Sequence, residues 1–312
     1  MTASFPLQDA KILITGPAGQ IAFPMARALA RDNEVWGIAR FIDPAQRCEV
    51  EEAGIRTLAI DLADPDFSDL PPDFTHLLHL AATISGDDYD SAISTNAEGT
   101  GLLLSHCRGV KAALVMSSVA VYRPNPDPSH AYKETDPLGD AMLPGMPAYS
   151  IAKIAQEAVA RYCAREFNIP VTLARMGASY GPRGGLPTYV ARAVAEGQPW
   201  TTRSDPCPYN PIHDDDMLAH VAPLLNAASV PATIVNWAGD EMVSVQDMAA
   251  FAGELLGTAS TVNLVPAPGA QPGSGVDPAK RLSITGPCQV GWKDGMLRVL
   301  AELYPGRVRA TA

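Results

Sequence analysis

The sequence predicts an α/β fold built on a doubly wound parallel sheet. Three observations carry this expectation. Short apolar runs recur along the chain, they are apolar throughout rather than alternating, and helical patterns separate them. Continuous apolar runs suit strands buried on both faces, as in a parallel sheet. Alternation of strand and helix implies right-handed crossovers on both sides of that sheet.

The elements follow in order. KILIT (11–15) is a first strand ending at Gly16, and a helical pattern runs from Gly19 to about Ala30. EVWGI (34–38), RTLAI (56–60) and HLLHL (76–80) are the next three strands. Residues 91–107 read as a long helix and AALVM (112–116) as the fifth strand. A helix from about Ala148 to Phe167 leads into VTLAR (171–175), and TIVNW (233–237) is a seventh strand. Two stretches, 123–147 and 266–278, are loops by their Pro and Gly content. The first leads into the 148–167 helix, so it is either a lid over a site or an irregular surface crossover.

Composition narrows the function classes. The 312 residues carry a formal net charge of −11, which gives nucleic acid no basic face. The five cysteines are scattered and form no C-x-x-C pair, so neither a disulfide framework nor a thiolate zinc site is expected. The N-terminal MTASFPLQDA lacks a charged start followed by an apolar run, and no stretch reaches the length of a membrane span. The expectation is a cytoplasmic protein that binds a small molecule, with no nucleic-acid or membrane partner.

The first strand ends TGPAGQIA, with Gly16, Gly19 and Ala22 three apart at a helix start. Glycines there let the backbone approach a diphosphate, and the helix N-terminus offers free N–H groups and a positive dipole end. The second strand runs VWGIAR. It ends without the acid that usually holds a ribose 2′-hydroxyl, and Arg40 suits a 2′-phosphate instead. NADP is therefore favoured over NAD, although Asp43 follows closely.

Tyr149 and Lys153 lie four apart in AYSIAKIAQE, on one helix face with attachment points about 6 Å apart. A nearby ammonium favours the phenolate, which makes Tyr149 a candidate general acid or base. The bare pattern also fits a surface pair. LVMSSVAVY adds Ser117 and Ser118 at the C-terminal end of the fifth strand, the edge where such sheets bind ligands. His213 with Asp214–Asp216 reads as first-turn acids and a helix start rather than a metal site, so no metal is expected.

With these motifs in order, the chain resembles the extended short-chain dehydrogenases/reductases, the NAD(P)-dependent epimerase/dehydratase-like group. TGPAGQIA is similar to its TGxxGxxG turn, SSVAVY to SSxxVY, YSIAK to YxxxK, RMGASYGPRGG to RPxxxYGP, and NPIHDDDM to the (F/Y)IHVDD segment. HLAA, IDLAD, NAEGTGLLL and VNWAGDEMVSVQDMAAFAGELLG match further family segments. The resemblance implies Ser118, Tyr149, Lys153 and Asn96 as catalytic residues. It implies Gly16, Gly19, Gln20, Ile21, Arg40, Asp61, Leu62, Ala81, Ala82, Ser117, Tyr149, Lys153 and Met176 as cofactor contacts.

It also implies a Rossmann domain (1–177 and 233–257) and a small C-terminal substrate-binding domain (178–232 and 258–312), with a homodimer left open. The implied activity is NAD(P)(H)-dependent interconversion of a carbonyl and an alcohol. The alternatives are a nucleotide-sugar epimerase/dehydratase with tightly held NAD and a non-catalytic NADP-binding sensor. Nucleotide-sugar members grip the diphosphate with two arginines, and the matching positions here are Tyr209 and Gln271. An uncharged or weakly polar small substrate is expected on that ground, with Arg183 and Arg203 as the arginines that remain to replace the grip.

Overall fold

The computed structural model describes residues 7–84 and 88–309. The leader reading rests partly on residues 1–6, which lie outside that range. Seven strands form the central sheet. They are β1 (Lys11–Thr15), β2 (Glu34–Ala39), β3 (Arg56–Ala59), β4 (His76–His79), β5 (Ala112–Ser118), β6 (Val171–Met176) and an edge strand, Thr233–Trp237. Their order is edge strand, β6, β5, β4, β1, β2, β3, and every pairing is parallel. The order reverses between β1 and β4, and such a switch point opens a crevice beyond the strands' carboxyl ends.

Both faces of the inner strands are covered, which is why those strands read as unbroken apolar runs. Helices Ala22–Leu29 and Asp214–Asn226 pack one face through Phe23, Met25, Met217 and Leu224. Helices Gly99–His106 and Tyr149–Glu166 pack the other through Leu103, Leu104, Ala160 and Cys163. A third core joins helices Leu186–Ala195, Val245–Leu256 and Trp292–Leu303. The Asp214–Asn226 helix thus lies on the main sheet and Val245–Leu256 in the third core, each across the division implied by the family segments.

The sequence showed no helix between the second and third strands, yet Pro44–Glu52 is one. Its start is chemical rather than periodic. Asp43 caps it by accepting the Ala45 N–H at 2.9 Å, and Pro44 occupies the first turn.

A buried ion pair ties the sheet to the Tyr149 helix. Arg175 on β6 meets Glu157 in two parallel bonds, Nε to Oε1 at 2.8 Å and Nη2 to Oε2 at 2.7 Å. Ser117 Oγ donates to the same carboxylate at 2.7 Å, and Arg175 Nη1 donates to Tyr122 Oη at 3.0 Å. Removing one partner of such a pair costs about 3–5 kcal/mol, because the other charge stays buried.

The two Pro/Gly-rich loops bond to each other. Tyr132 N donates to Gly275 O at 3.0 Å, Asp277 N to Tyr132 O at 2.9 Å and Met142 N to Gly269 O at 3.1 Å. Together they form one wall of the crevice described next. Among the described residues, no helix is long and apolar enough to cross a membrane.

Candidate active site

A single cleft of about 1230 Å³ runs over the carboxyl edge of the sheet. One end begins at the β1 turn. Gly16 has φ +66°, a conformation glycine adopts without strain, and a Cβ there would press on Ala81 at 3.3 Å. Thr15 fixes Ala81 from the other side, its Oγ1 accepting the Leu80 and Ala81 N–H groups at 3.0 and 2.9 Å. The turn, the helix start behind it and the open trough in front fit the diphosphate of a dinucleotide.

Gly16, Gly19, Gln20, Ile21, Arg40, Asp61, Leu62, Ala81 and Ala82 all line this end. Arg40 is exposed at its rim, whereas Asp43 is spent as the helix cap and does not line the cleft. Asn96, Ser117, Ser118, Tyr149 and Met176 line the middle. Asn96 lies in a π-turn, Ser94–Glu98, an irregularity often found at functional sites. Its side chain clamps the neighbouring loop, taking the Thr83 N–H at 3.0 Å and donating to Thr83 O at 3.0 Å and Ala92 O at 2.9 Å.

Lys153 is the one expected residue that does not line the cleft. It is fully buried behind it. Its Nζ donates to Met116 O and Gln156 Oε1, both at 2.9 Å, and lies 5.8 Å from the centre of the Tyr149 ring. Burial lowers its pKa to about 7, against the opposing pull of Glu157. Burial likewise pushes the Tyr149 phenol up to about 12, with Ser118 acting in the opposite direction through a hydrogen bond. The expected depression of the phenol by Lys153 is therefore not what sets it here. Desolvation outweighs every opposing contact, and the lysine's hydrogen bonds go elsewhere.

Behind Lys153 runs a polar chain that the sequence reading missed. Gln156 Nε2 donates to Thr100 Oγ1 at 3.0 Å, and Thr100 Oγ1 lies 2.7 Å from His79 Nε2. His79 Nδ1 lies 2.9 Å from Thr15 Oγ1. All five side chains are buried. Because Thr15 also holds Ala81, the chain links the lysine to the glycine-rich turn. HLAA was visible as a motif, but the two partners of its histidine, Thr15 and Thr100, come from two other elements.

The far end of the cleft is apolar, with Leu186, Trp200, Val245, Val265 and Pro266. Gln271 is fully buried there, and its Nε2 donates to Val119 O at 3.1 Å and Tyr122 O at 2.9 Å. Its amide donors are committed to loop backbone and leave none for a ligand. Of the two remaining arginines, Arg183 sits outside the cleft. It is paired with Glu49 at 2.7 and 3.0 Å and stacked 4.1 Å from the Phe23 ring centre. Arg203 lines the cleft.

His213 is a helix cap, its Nδ1 accepting the Asp215 N–H at 3.1 Å. Asp216 belongs to a different cluster, with His220 and Cys288, whose potential ligand atoms lie within 4.8 Å of one another. Both of its carboxylate oxygens accept backbone N–H groups, from Gln289 at 2.6 Å and Val290 at 3.1 Å.

Comparisons with known proteins agree on the architecture. The UDP-glucuronic acid 4-epimerase of Bacillus cereus, solved with UDP-glucuronic acid and NAD, superposes with a TM-score of 0.80. It is 23% identical, over 94% of this chain and 100% of that one. The UDP-glucose 4-epimerase of Thermus thermophilus, solved with NAD, gives 0.76 at 24% identity over 95% and 99%. The UDP-N-acetylglucosamine 4-epimerase of Methanobrevibacter ruminantium, solved with UDP-N-acetylmuramic acid, gives 0.80 at 19% identity over 96% and 99%. No match is found among curated proteins. The family model described as the NAD dependent epimerase/dehydratase family matches residues 12–210. With nearly two thirds of its length inside that match, and with the sheet, the glycine turn and the Tyr149 helix in place, the chain belongs to the NAD-dependent epimerase/dehydratase family.

Proposed function

We propose that the chain moves a hydride at a hydroxyl-bearing carbon, with a nicotinamide dinucleotide laid from the Gly16–Gly19 turn to Tyr149. The observation that carries this is the convergence of Ser118 and Tyr149 with the glycine turn in one cleft. When bound, the nicotinamide accepts or returns the hydride. Tyr149 Oη gives the proton to the substrate oxygen or takes it away, and Ser118 Oγ holds that oxygen in line. A phenol pushed up to about 12 keeps its proton at neutral pH, so Tyr149 is set as the acid. Acting as the base requires positive charge beside it, and oxidised nicotinamide is cationic. Lys153, buried behind the cleft and held at Met116 O and Gln156 Oε1, is in this reading a positioning residue that supports the Tyr149 side of the cleft from behind.

The family and its neighbours favour an epimerase mode, in which the substrate alcohol is oxidised only transiently and the cofactor stays bound. A second reading, net oxidation or reduction of a smaller substrate, is favoured by Gln271 and Tyr209 standing where diphosphate-gripping arginines are expected. A sensor role has less support, because Ser118, Tyr149 and Lys153 are all kept. For the cofactor itself, the family description and the neighbours favour NAD, while Arg40 at the rim and Asp43's use as a cap favour NADP. By packing, we propose that the Asp214–Asn226 helix belongs with the dinucleotide half and Val245–Leu256 with the substrate half.

The test is to denature the purified protein, quantify released dinucleotide and assay a sugar-nucleotide panel for inversion alongside a ketone panel for net turnover. Retained cofactor with inversion supports the epimerase mode. Net consumption of reduced cofactor, with none retained, removes that mode and keeps the hydride chemistry. Dinucleotide binding without turnover on either panel would return the sensor reading to first place.

A further inference from the structure

Away from the cleft, three side chains with metal-ligating atoms are gathered together. Asp216 and His220 lie one turn apart on helix Asp214–Asn226, and Cys288 comes from the turn between helices Ala279–Thr285 and Trp292–Leu303. One ligand atom from each lies within 4.8 Å of the other two. Asp216 and His220 are buried, while Cys288 is half-buried and leaves a path from solvent. None of the three lines the cleft, so the hydride reading does not use them. Of the run His213–Asp216, read from sequence as a helix start, only Asp216 takes part.

The cluster is polar, enclosed and incompletely satisfied. His220 Nδ1 is buried with no hydrogen-bond partner among the described residues, a cost to folding that a ligand would recover. The groups around the cluster act as an outer shell that fixes its ligands. Both Asp216 oxygens accept backbone N–H groups next to the thiol, from Gln289 at 2.6 Å and Val290 at 3.1 Å, and still keep lone pairs free. Asp240 Oδ2 accepts the Cys288 N–H at 3.0 Å, and Asp240 Oδ1 pairs with the buried Arg281. That pair cancels its own charge. The Asp216 carboxylate and a Cys288 thiolate then carry two negative charges between them, which one divalent cation balances.

We propose that Asp216, His220 and Cys288 bind one zinc ion, which pins the turn before helix Trp292–Leu303 to the helix lying on the main sheet. Oxygen, nitrogen and sulfur donors together suit zinc, whereas magnesium and calcium take oxygen ligands. Zinc bonds of about 2.0–2.3 Å set tetrahedral ligand atoms about 3.3–3.8 Å apart, so the widest pair closes by about 1 Å on binding. The half-exposed Cys288 turn supplies that movement. Zinc displaces the thiol proton, which passes to the buffer, and solvent takes the fourth position.

The test uses tag-free protein loaded with its oxidised dinucleotide and stripped of metal by a chelator. The probes are zinc chloride and cobalt chloride, with magnesium chloride as control. The proposal expects one zinc per chain after gel filtration, a proton released on binding and, with cobalt, a near-ultraviolet thiolate charge-transfer band. Zinc at about a hundredfold over its Kd should raise the Tm by about 5 °C, and magnesium should not. Cys288→Ser and His220→Gln should each weaken zinc by more than about a hundredfold, beyond the loss typical of an outer-shell partner. Cys48→Ser, at an exposed thiol elsewhere, should bind zinc as the unmutated protein does. Asp216 is left in place, because its carboxylate also holds the turn, and the dinucleotide affinity of each variant reports folding. Zinc affinity unchanged in Cys288→Ser or His220→Gln overturns the proposal. So does a cobalt spectrum without the thiolate band, or no zinc binding at micromolar concentration. None of these readouts is turnover, so the result stands apart from the hydride reading, whose failure would appear as unchanged turnover in Tyr149→Phe.

Discussion

The two ends of the cleft are built by different means. The dinucleotide end is made of backbone: a turn that needs glycine, the ends of parallel strands and the start of a helix, lined up by the sheet itself. The substrate end is made of side chains that meet only because distant loops fold against each other. Arg203 bonds to a carbonyl 68 residues away, and Gln271, which supplies it, reaches back 152 residues to Val119. One end is fixed by the architecture, and the other is free to change with a handful of substitutions. Tyr149 and Ser118 stand at the junction, and the largest expected effect lies there.

Tyr149→Phe removes the phenolic hydroxyl and little volume. Turnover should fall by about 10²–10⁴-fold, the usual range for a lost acid–base group. Dinucleotide affinity should hold, because the turn and the buried chain behind Lys153 are untouched. Steady-state kinetics beside a cofactor titration checks this. Near-normal turnover would mean that the junction is not where the proton moves.

The next effect tests whether the dinucleotide end is as rigid as its buried polar chain suggests. His79 is fully buried, and burial first, then Lys153, lowers its pKa from 6.5 to about 3. The folded state therefore binds fewer protons than the unfolded state between these values. Stability present above pH 6.5 is lost as pH falls toward 3, by about 3 kcal/mol down to around pH 4. His220, lowered to about 4, acts in the same direction. His79→Asn should start less stable at neutral pH and lose less on acidification, as read from denaturant unfolding across the range. Parallel profiles for both proteins would assign the acid loss to other groups.

These differences explain what the sequence disclosed. All seven sheet strands were legible, the inner ones because burial on both faces leaves unbroken apolar runs, and β3 through its short apolar run although it lies at the sheet edge with no fully buried residue. The glycine turn, Ser118 and Tyr149 were legible as well, since each depends on spacing within a few residues. The Pro44–Glu52 helix was not, because it buries only Val50 and carries no apolar stripe. The position of Lys153 behind the cleft and its link through Gln156, Thr100 and His79 to Thr15 were invisible, as those partners lie on four separate elements. The substrate end was the hardest to read. Tyr209 and Gln271 announced a missing arginine pair, but nothing in the local sequence separates Arg203, which faces the cleft, from Arg183, which pairs with Glu49.

A smaller effect sharpens the comparison at the rim. Arg40 is exposed, Asp61 lines the same end of the cleft, and Asp43 is spent as a helix cap. If the rim reads a 2′-phosphate, NADPH binds more tightly than NADH, and Arg40→Ala narrows the gap by about 1.5–3 kcal/mol, less as salt rises. Fluorescence titration of both cofactors at two salt concentrations measures it. Tighter binding of NADH by the unmutated protein would leave Arg40 a solvated surface residue and assign the site to NAD.

The smallest expected effect isolates Gln156. Its Oε1 accepts one of the two hydrogen bonds that hold the Lys153 ammonium, and its Nε2 joins the lysine to Thr100. Gln156→Met fills similar volume without either group. Lys153 keeps Met116 O, so the loss should be about 1 kcal/mol, or roughly fivefold in dinucleotide affinity, with kcat changed less. The direction of the pH response separates positioning from packing. An acceptor bonded to the charged form supports that form, so removing it lowers the lysine pKa below its present value of about 7. Dinucleotide affinity that depends on the ammonium should then fall at a lower pH in the variant than in the unmutated protein. A uniformly weaker but parallel pH profile would show that Gln156 merely fills space, and the buried chain would end at Thr100.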